Sequence, residues 1–197
     1  MNALVVYASR KGQARKVAAR IGDVLEAAGH DVQVHEILGL PAGLDLERFD
    51  LAVVGSSVRY GRHSGAIADF VRAGRASLAG RATAFFSVCG SAMSRTAAGD
   101  GRAREQVDAF LAETEWRPDR IGVFAGAVPY TRYGPFTRWF MKRLERAAGR
   151  STDTARDHEY TDWVAVERFA AGLAPGLPSP RRATAAAPPA TTVAVGP

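Results

Sequence analysis

The sequence predicts an α/β fold, a doubly wound five-stranded parallel sheet, and three observations carry that prediction. Apolar runs alternate with helical stripes over residues 1–173, as successive strand and crossover-helix units require. The runs ALVVYA, FDLAVVG and TAFFSVC have no polar face, which marks strands covered by helices on both sides. Each of these three runs ends in a loop of small or polar residues. In such a sheet those loops meet at one crevice, outside the carboxyl ends of the strands.

Residues 3–8 form the first strand, and Ser9, Arg10, Lys11, Gly12, Gln13 and Ala14 supply the turn after it. A helix follows, with Val17, Ala18, Ile21, Val24 and Leu25 at 3.6-residue spacing on its sheet-facing side. Gly29 and His30 close it. Residues 31–37 alternate as a second strand, with Val32 and Val34 on one side, and residues 38–46 are turn-forming. The third strand covers 49–55 and ends in SSVRYGRHSG, residues 56–65, a polar loop with one aromatic. A single helix is expected over 66–78, with Ile67, Phe70 and Val71 inward. The fourth strand, 83–89, leads to a Gly/Ala/Ser-rich loop over 90–102, and a third helix includes Val107, Phe110 and Leu111. After a break at 116–120 comes the fifth strand, 121–125. Residues 126–160 are too long for an ordinary connection and form an insertion after or within that strand. Thr161 and Asp162 can cap a last helix, whose stripe is Trp163, Val166, Phe169, Ala170 and Leu173. Residues 174–197 are rich in Pro, Ala and Thr without periodicity and are expected to be a disordered tail beyond the domain 1–173.

The chain has 197 residues, 47% of them hydrophobic, which suits one globular domain. Its lone Cys89 excludes an internal disulfide. The chain opens directly on a strand, and no apolar run approaches the ~20 residues of a membrane span. The expected location is cytoplasmic, soluble or peripheral. A net charge of +6 calls for an anionic partner, whether phosphate, nucleic acid, acidic substrate or lipid surface, unless it is background Ala/Arg composition.

The first turn holds the sharpest physical signal. Gly12 is free to adopt a conformation in which main-chain N–H groups approach a ligand. The N-terminus of the next helix adds unpaired donors and the positive end of its dipole, so a phosphate is the expected occupant. A single glycine makes neither a dinucleotide fingerprint nor a Walker A motif, which argues against NAD and ATP.

These residues resemble a known family. Ser9 to Ala14 resembles the phosphate loop of flavodoxins, and SSVRYGRHSG resembles their flavin-ring loop. WRPDRIGVFAGAVPYTRYGPFTRWFMKR and TDTARDHEYTDW resemble stretches of the menaquinone-dependent protoporphyrinogen oxidases that ordinary flavodoxins lack. The resemblance spans roughly Met1 to Leu173. It implies a flavodoxin-like fold with strand order 2-1-3-4-5, FMN as cofactor, a porphyrinogen as substrate, menaquinone as acceptor and a place in haem biosynthesis, with no nucleic-acid partner. Two departures stand out. Lys11 and Ala14 occupy positions where hydroxyl residues are common, which leaves Ser9 as the side-chain hydroxyl and charge from Arg10 and Lys11 in place of the missing hydrogen bonds. The loop from Gly90 is richer in small residues than the family's.

By the same resemblance, the main chain of Arg10, Lys11, Gly12, Gln13 and Ala14 binds the phosphate. Tyr60 lies against the flavin ring, and the main chain of Ser57, Val58, Arg59 and Gly61 tunes its nitrogens. Cys89, Gly90 and Ser91 border the ring, Cys89 as a small core residue and not a nucleophile. Arg59 and Arg62 offer bidentate partners to propionate carboxylates, joined from the insertion by Tyr130, Arg132 and Tyr133. Each of these arginines reads equally as a solvated loop charge. His63 has no evident acid-base partner, and His30, His35, His63 and His158 lack metal-ligand spacing. A helix from Pro135 would set Phe136, Trp139, Phe140 and Leu144 opposite Arg138, Lys142 and Arg146, suited either to an anionic lipid surface or to covering the sheet edge. The leading expectation is an FMN-dependent porphyrinogen oxidoreductase. A flavodoxin-like electron carrier, a quinone reductase with another donor and a flavin-free binding domain stay open.

Overall fold

The computed structural model describes residues 1–94, 96–128 and 158–173. Five parallel strands form its sheet: β1 (Asn2–Ala8), β2 (Asp31–Glu36), β3 (Leu51–Ser57), β4 (Ala82–Cys89) and β5 (Arg120–Ala125), in the order β2-β1-β3-β4-β5. β1 registers against both neighbours, with Val5 opposite Val34 on one side and Val53 on the other. Every residue of β1 from Ala3 on is buried, as its unbroken apolar run requires.

The alternation of the strands divides the core into two layers. Val5, Val53 and Phe86 point to one face, where α1 (Gln13–Ala27) lays Val17, Ile21 and Leu25 on them and α5 (Trp163–Ala171) adds Val166 and Ala170. Leu4, Val6, Val54 and Phe85 point to the other, under α2 (Gly65–Ala73), α3 (Arg75–Ala79) and α4 (Ala97–Thr114). Full burial of side chains such as Phe85 and Phe86 stabilises by about 1.5–3 kcal/mol each. Both layers therefore hold the carboxyl ends of β1, β3 and β4 in fixed positions.

Three boundaries differ from the sequence reading. β3 continues through Ser57, because Ser56 is paired with Ser87 and wholly buried in the sheet. The single helix expected over 66–78 is two, broken at Gly74, where a Cβ would come within 2.8 Å of Leu46. The loop expected over 90–102 is mostly helical: a 3₁₀ turn, Ser91–Ser94, is followed by α4, which begins at Ala97 because Thr96 accepts a hydrogen bond from the Gly99 N–H. Small residues there pack into helix, not into an open loop.

Beyond β5, a two-stranded antiparallel pair, β6 (Ala127–Val128) and β7 (His158–Glu159), closes the base of the insertion. Tyr130, Arg132, Tyr133, the helix expected from Pro135 and the tail 174–197 lie outside the described residues. The expected cap of the last helix is present, with Asp162 accepting from the Ala165 N–H at 3.0 Å.

Candidate flavin cleft

β1 ends in a turn closed by its own side chain: the Gly12 N–H donates to Ser9 Oγ at 3.1 Å. Gly12 then takes φ 90, a left-handed conformation that glycine reaches without steric penalty, and stands as N-cap of α1. No side chain caps that helix, and no acidic residue sits in its first turn. Its amide donors and dipole are thus arranged for an anion. The Gln13 side chain is buried and turned away: Nε2 donates to Thr161 Oγ1 at 2.7 Å, and that hydroxyl donates to the Ala125 carbonyl at 2.7 Å. Ala14 is fully buried and apolar, so it can serve an anion only through the main chain, whereas Gln13 also lines the cleft described below.

The loop after β3 is a tight hairpin. Arg59 and Arg62 exchange both main-chain hydrogen bonds, 2.8 and 3.0 Å, around Tyr60 at φ 50 and Gly61 at φ 78. Two consecutive positive φ values define the mirror-image turn that suits the twist of a hairpin. The left-handed region is unfavourable for an aromatic residue, and Tyr60 is also 87% exposed. Burial therefore does not compensate for that strain. The Arg59 guanidinium lies 4.5 Å from the ring centroid and donates to the phenol oxygen, 3.0 Å away, leaving the remaining ring surface for a flat ligand.

Buried polar ties hold this hairpin to the sheet. His63 Nε2 meets Ser87 Oγ at 2.9 Å, and the Ser64 N–H donates to Ser56 Oγ at 3.0 Å. His63 also packs on Phe85 and Phe110, with ring centroids 5.3 and 5.1 Å away. Burial pushes its pKa down to about 4; the Gln106 backbone carbonyl and the Glu113 carboxylate favour the proton, but less strongly. Its Nδ1 is buried without a hydrogen-bond partner among the described residues. His63 is thus a neutral anchor at physiological pH, poorly suited to general-base work.

The third wall comes from β4. The Val58 N–H donates to the Val88 carbonyl at 2.9 Å, joining the two loops directly. Cys89 is 2% exposed, and burial raises its thiol pKa, which keeps it an uncharged small residue. Gly90 and Ser91 follow, and Gln106 Nε2 holds Ser91 Oγ at 3.3 Å. Arg10, Lys11, Tyr60, Cys89 and Gly90 line one cleft of about 540 Å³, completed by Met93, Gly126 and Ala127. All three expected loops converge. Arg62 lies outside that lining, on the opposite side of the hairpin.

The structure adds residues with little sequence signal. Ser87 acts through a bond to His63, 24 positions away in the chain, and Ser56 and Ser64 bond to each other across the base of the hairpin, ties that no spacing rule predicts. Glu159 pairs with Lys16 at 2.6 Å, beside the Gln13–Thr161 bond, so the base of the insertion is fastened to the first turns of α1. The adjoining acidic and hydroxyl residues in HEYTDW are the only local hint. A flavin mononucleotide fits this chemistry: uncapped amides and cations for a phosphate, and an exposed aromatic with buried neutral neighbours for a ring.

Comparison with known proteins agrees with this geometry. The family model for the flavodoxin domain matches residues 4–155. A protein of Escherichia coli strain K12 named protoporphyrinogen IX dehydrogenase (quinone) is 33% identical over 177 residues, covering 88% of this chain and 95% of its own length. A Leishmania major protein of the same name is 36% identical over 132 residues, 66% of this chain and 55% of its own. Among solved structures, a short-chain flavodoxin associated with a bacterial microcompartment matches with a TM-score of 0.52 at 17% identity, over 88% of this chain and 96% of its own, a likeness of fold.

Proposed function

This chain belongs to the flavodoxin-domain family and, within it, to the protoporphyrinogen IX dehydrogenases, and on that premise we propose that it is an FMN-dependent enzyme oxidising protoporphyrinogen IX with menaquinone as acceptor. The observation that supports this reading best is the convergence of the three loops on one cleft of about 540 Å³. When bound, FMN supplies the two-electron redox chemistry between donor and quinone.

The chain's own residues have separate tasks in this reading. Amides of the first turn of α1, with Arg10 and Lys11, hold the phosphate, and the left-handed Gly12 lets the backbone approach it. Tyr60 carries the ring, while the Ser57 to Gly61 backbone and the buried Cys89 flank it; of these, Ser57 to Tyr60 and Cys89 line the cleft and Gly61 does not. Arg59 and Arg62 meet substrate carboxylates. Tyr130, Arg132 and Tyr133 are proposed to extend that contact from the insertion.

Two attributes rest on sequence alone. Among the described residues no helix is long and apolar enough to cross a membrane. Peripheral attachment to anionic lipid through residues 136–150 is the proposed route to a hydrophobic quinone at the cytoplasmic face.

Purified protein, reconstituted with FMN and given protoporphyrinogen IX and menaquinone without oxygen, should generate protoporphyrin fluorescence together with menaquinol. Flavin bound without that turnover would favour a carrier or another donor. No flavin bound at all would remove the reading.

A further inference from the structure

A second cavity, of about 610 Å³, lies across the Tyr60 hairpin from the flavin cleft and shares Arg10, Ser57, Arg59 and Tyr60 with it as a common wall. It is bounded by the end of β2 and the start of α2 instead of β4 and β5. Three arginines, Arg10, Arg59 and Arg62, line it with one acidic residue, Glu36. Their charges are poorly compensated. Arg10 makes no ion pair among the described residues, Arg59 donates to a phenol, and the Arg62 side chain is 81% exposed with Glu113 no closer than 3.9 Å. The amino end of α2 opens on the same cavity, without a side-chain cap and without an acid in its first turn. Together these features place uncancelled positive potential in one concavity.

The edge after β2 is apolar. Leu38 is 87% exposed on the 3₁₀ turn after β2, beside Ile37 at the cavity's edge. A phosphate ion alone would leave that leucine without a partner. A ligand matched to the whole cavity has carboxylates at one edge and a broad apolar body.

We propose that this cavity seats the propionate edge of the porphyrinogen, with Arg62 and the amino end of α2 facing its carboxylates and Leu38 covering its apolar rim. The inference rests on the reading of the chain as a porphyrinogen oxidoreductase and assigns the substrate's carboxylate edge to the side of the Tyr60 hairpin opposite the flavin cleft. Arg10 and Arg59, shared between the two cavities, then face both anionic ligands. Guanidinium suits this task because its planar fork matches a carboxylate and stays charged throughout the physiological range.

The test uses the FMN-loaded full chain with protoporphyrin IX, the stable oxidised form, as a binding probe, and its dimethyl ester as the probe without carboxylates. Arg62→Glu and Leu38→Asp are both at exposed positions outside the lining of the flavin cleft. Each is expected to weaken protoporphyrin binding by about tenfold or more, the equivalent of one unfavourable charge placed in the site. FMN affinity should stay within about twofold, which also reports that the variants are folded. The ester should bind wild type more weakly than the acid and be insensitive to Arg62→Glu. Inorganic phosphate at matched ionic strength should not displace the porphyrin. Tight wild-type binding that neither variant changes, or that phosphate abolishes, overturns this site while leaving the enzyme reading in place. Failure of the wild type both to bind the porphyrin and to turn over porphyrinogen overturns the enzyme reading itself.

Discussion

The loop after β1 and the hairpin after β3 leave the sheet side by side, and they use opposite means to present a ligand surface. The first works through its backbone: Gly12 is left-handed, the helix start is uncapped, and the Gln13 side chain is drawn away to Thr161. The second works through side chains. Its backbone is closed on itself by the Arg59–Arg62 hydrogen bonds, and it displays Tyr60, Arg59 and Arg62 outward while His63 and Ser64 hold it to the sheet. A phosphate, alike on every side, is well served by convergent amides. A planar ring and asymmetric carboxylates need oriented side chains. Those side chains hold their positions only if the loop beneath them is fixed.

That contrast is broken most sharply at Gly12. Gly12→Val places a β-branched residue at φ 90 and crowds the approach of a phosphate to the amides. FMN affinity should fall at least about a hundredfold, roughly 3 kcal/mol, as measured by flavin fluorescence titration. Circular dichroism should still show a folded protein, because α1 is anchored by Val17, Ile21 and Leu25 and not by its first turn. Near-normal FMN binding would show that the loop after β1 does not use its backbone in this way.

The hairpin should break instead at its hidden anchor. His63→Ala removes a ring packed on Phe85 and Phe110 and strands Ser87 Oγ, which should destabilise the fold by about 2–3 kcal/mol and loosen flavin binding several-fold. A pH series separates the anchor from generic packing. The folded state holds His63 near pKa 4 against 6.5 when unfolded, so the unfolded chain takes up a proton that the native one refuses. Stability should therefore fall as pH drops from about 6.5 towards 4, by at most about 3 kcal/mol from this residue, and level off above pH 7. Urea midpoints across that range should slope in the wild type and slope less in the variant. Equal slopes would mean that His63 already carries its proton in the fold.

The two loops also differ in how far the sequence revealed them. Strand, glycine and amphipathic helix lie within one local stretch, so the β1 turn and the five parallel strands were legible from hydrophobic period and loop placement, while the strand order came with the resemblance to flavodoxins. Tyr60 could be placed in the β3 loop, but not its left-handed backbone, because tyrosine carries no signal for that conformation as glycine does. The ties from His63 to Ser87 and from Gln13 to Thr161 link residues far apart in sequence, and only the closed fold brings them together. Gly90 to Arg102 misled for a related reason: Gly and Ala richness reads as loop, yet Thr96 caps a helix there and Ala103 and Val107 pack it on the sheet.

Tyr60 gives a finer test of the side-chain strategy. Tyr60→Gly removes an exposed aromatic and the strain of a non-glycine residue at φ 50, so the apo protein should lose no stability and gain up to about 1 kcal/mol. FMN affinity should nevertheless fall about tenfold, because the stacking surface is gone. Opposite signs in thermal midpoint and flavin affinity would identify a residue retained for its ligand. A loss of both would place Tyr60 among the residues that hold the fold.

The smallest effect is expected where the base of the insertion meets α1, and its pH dependence has a definite sign. Burial raises the pKa of Glu159, but hydrogen bonds from Lys16 and Gln13 and the Lys16 charge outweigh it and hold the carboxylate below its usual 4.5. The ion pair is 2.6 Å long with the Lys16 side chain 58% exposed, so solvent screens most of its strength and about 0–1 kcal/mol is expected from it. A carboxylate with a lowered folded pKa stabilises above its unfolded value and loses that contribution as pH falls through the folded one. Glu159→Gln should therefore cost at most about 1 kcal/mol at pH 7 and progressively less below about pH 4.5, where the wild-type carboxylate is itself becoming protonated. FMN affinity should change by less than about threefold, since the neighbouring Gln13–Thr161 bond persists and the amides of α1 keep their direction. If Glu159→Gln instead weakens FMN as strongly as Tyr60→Gly, the insertion's base is part of the phosphate site, and the β1 loop depends on side chains as much as the β3 hairpin does.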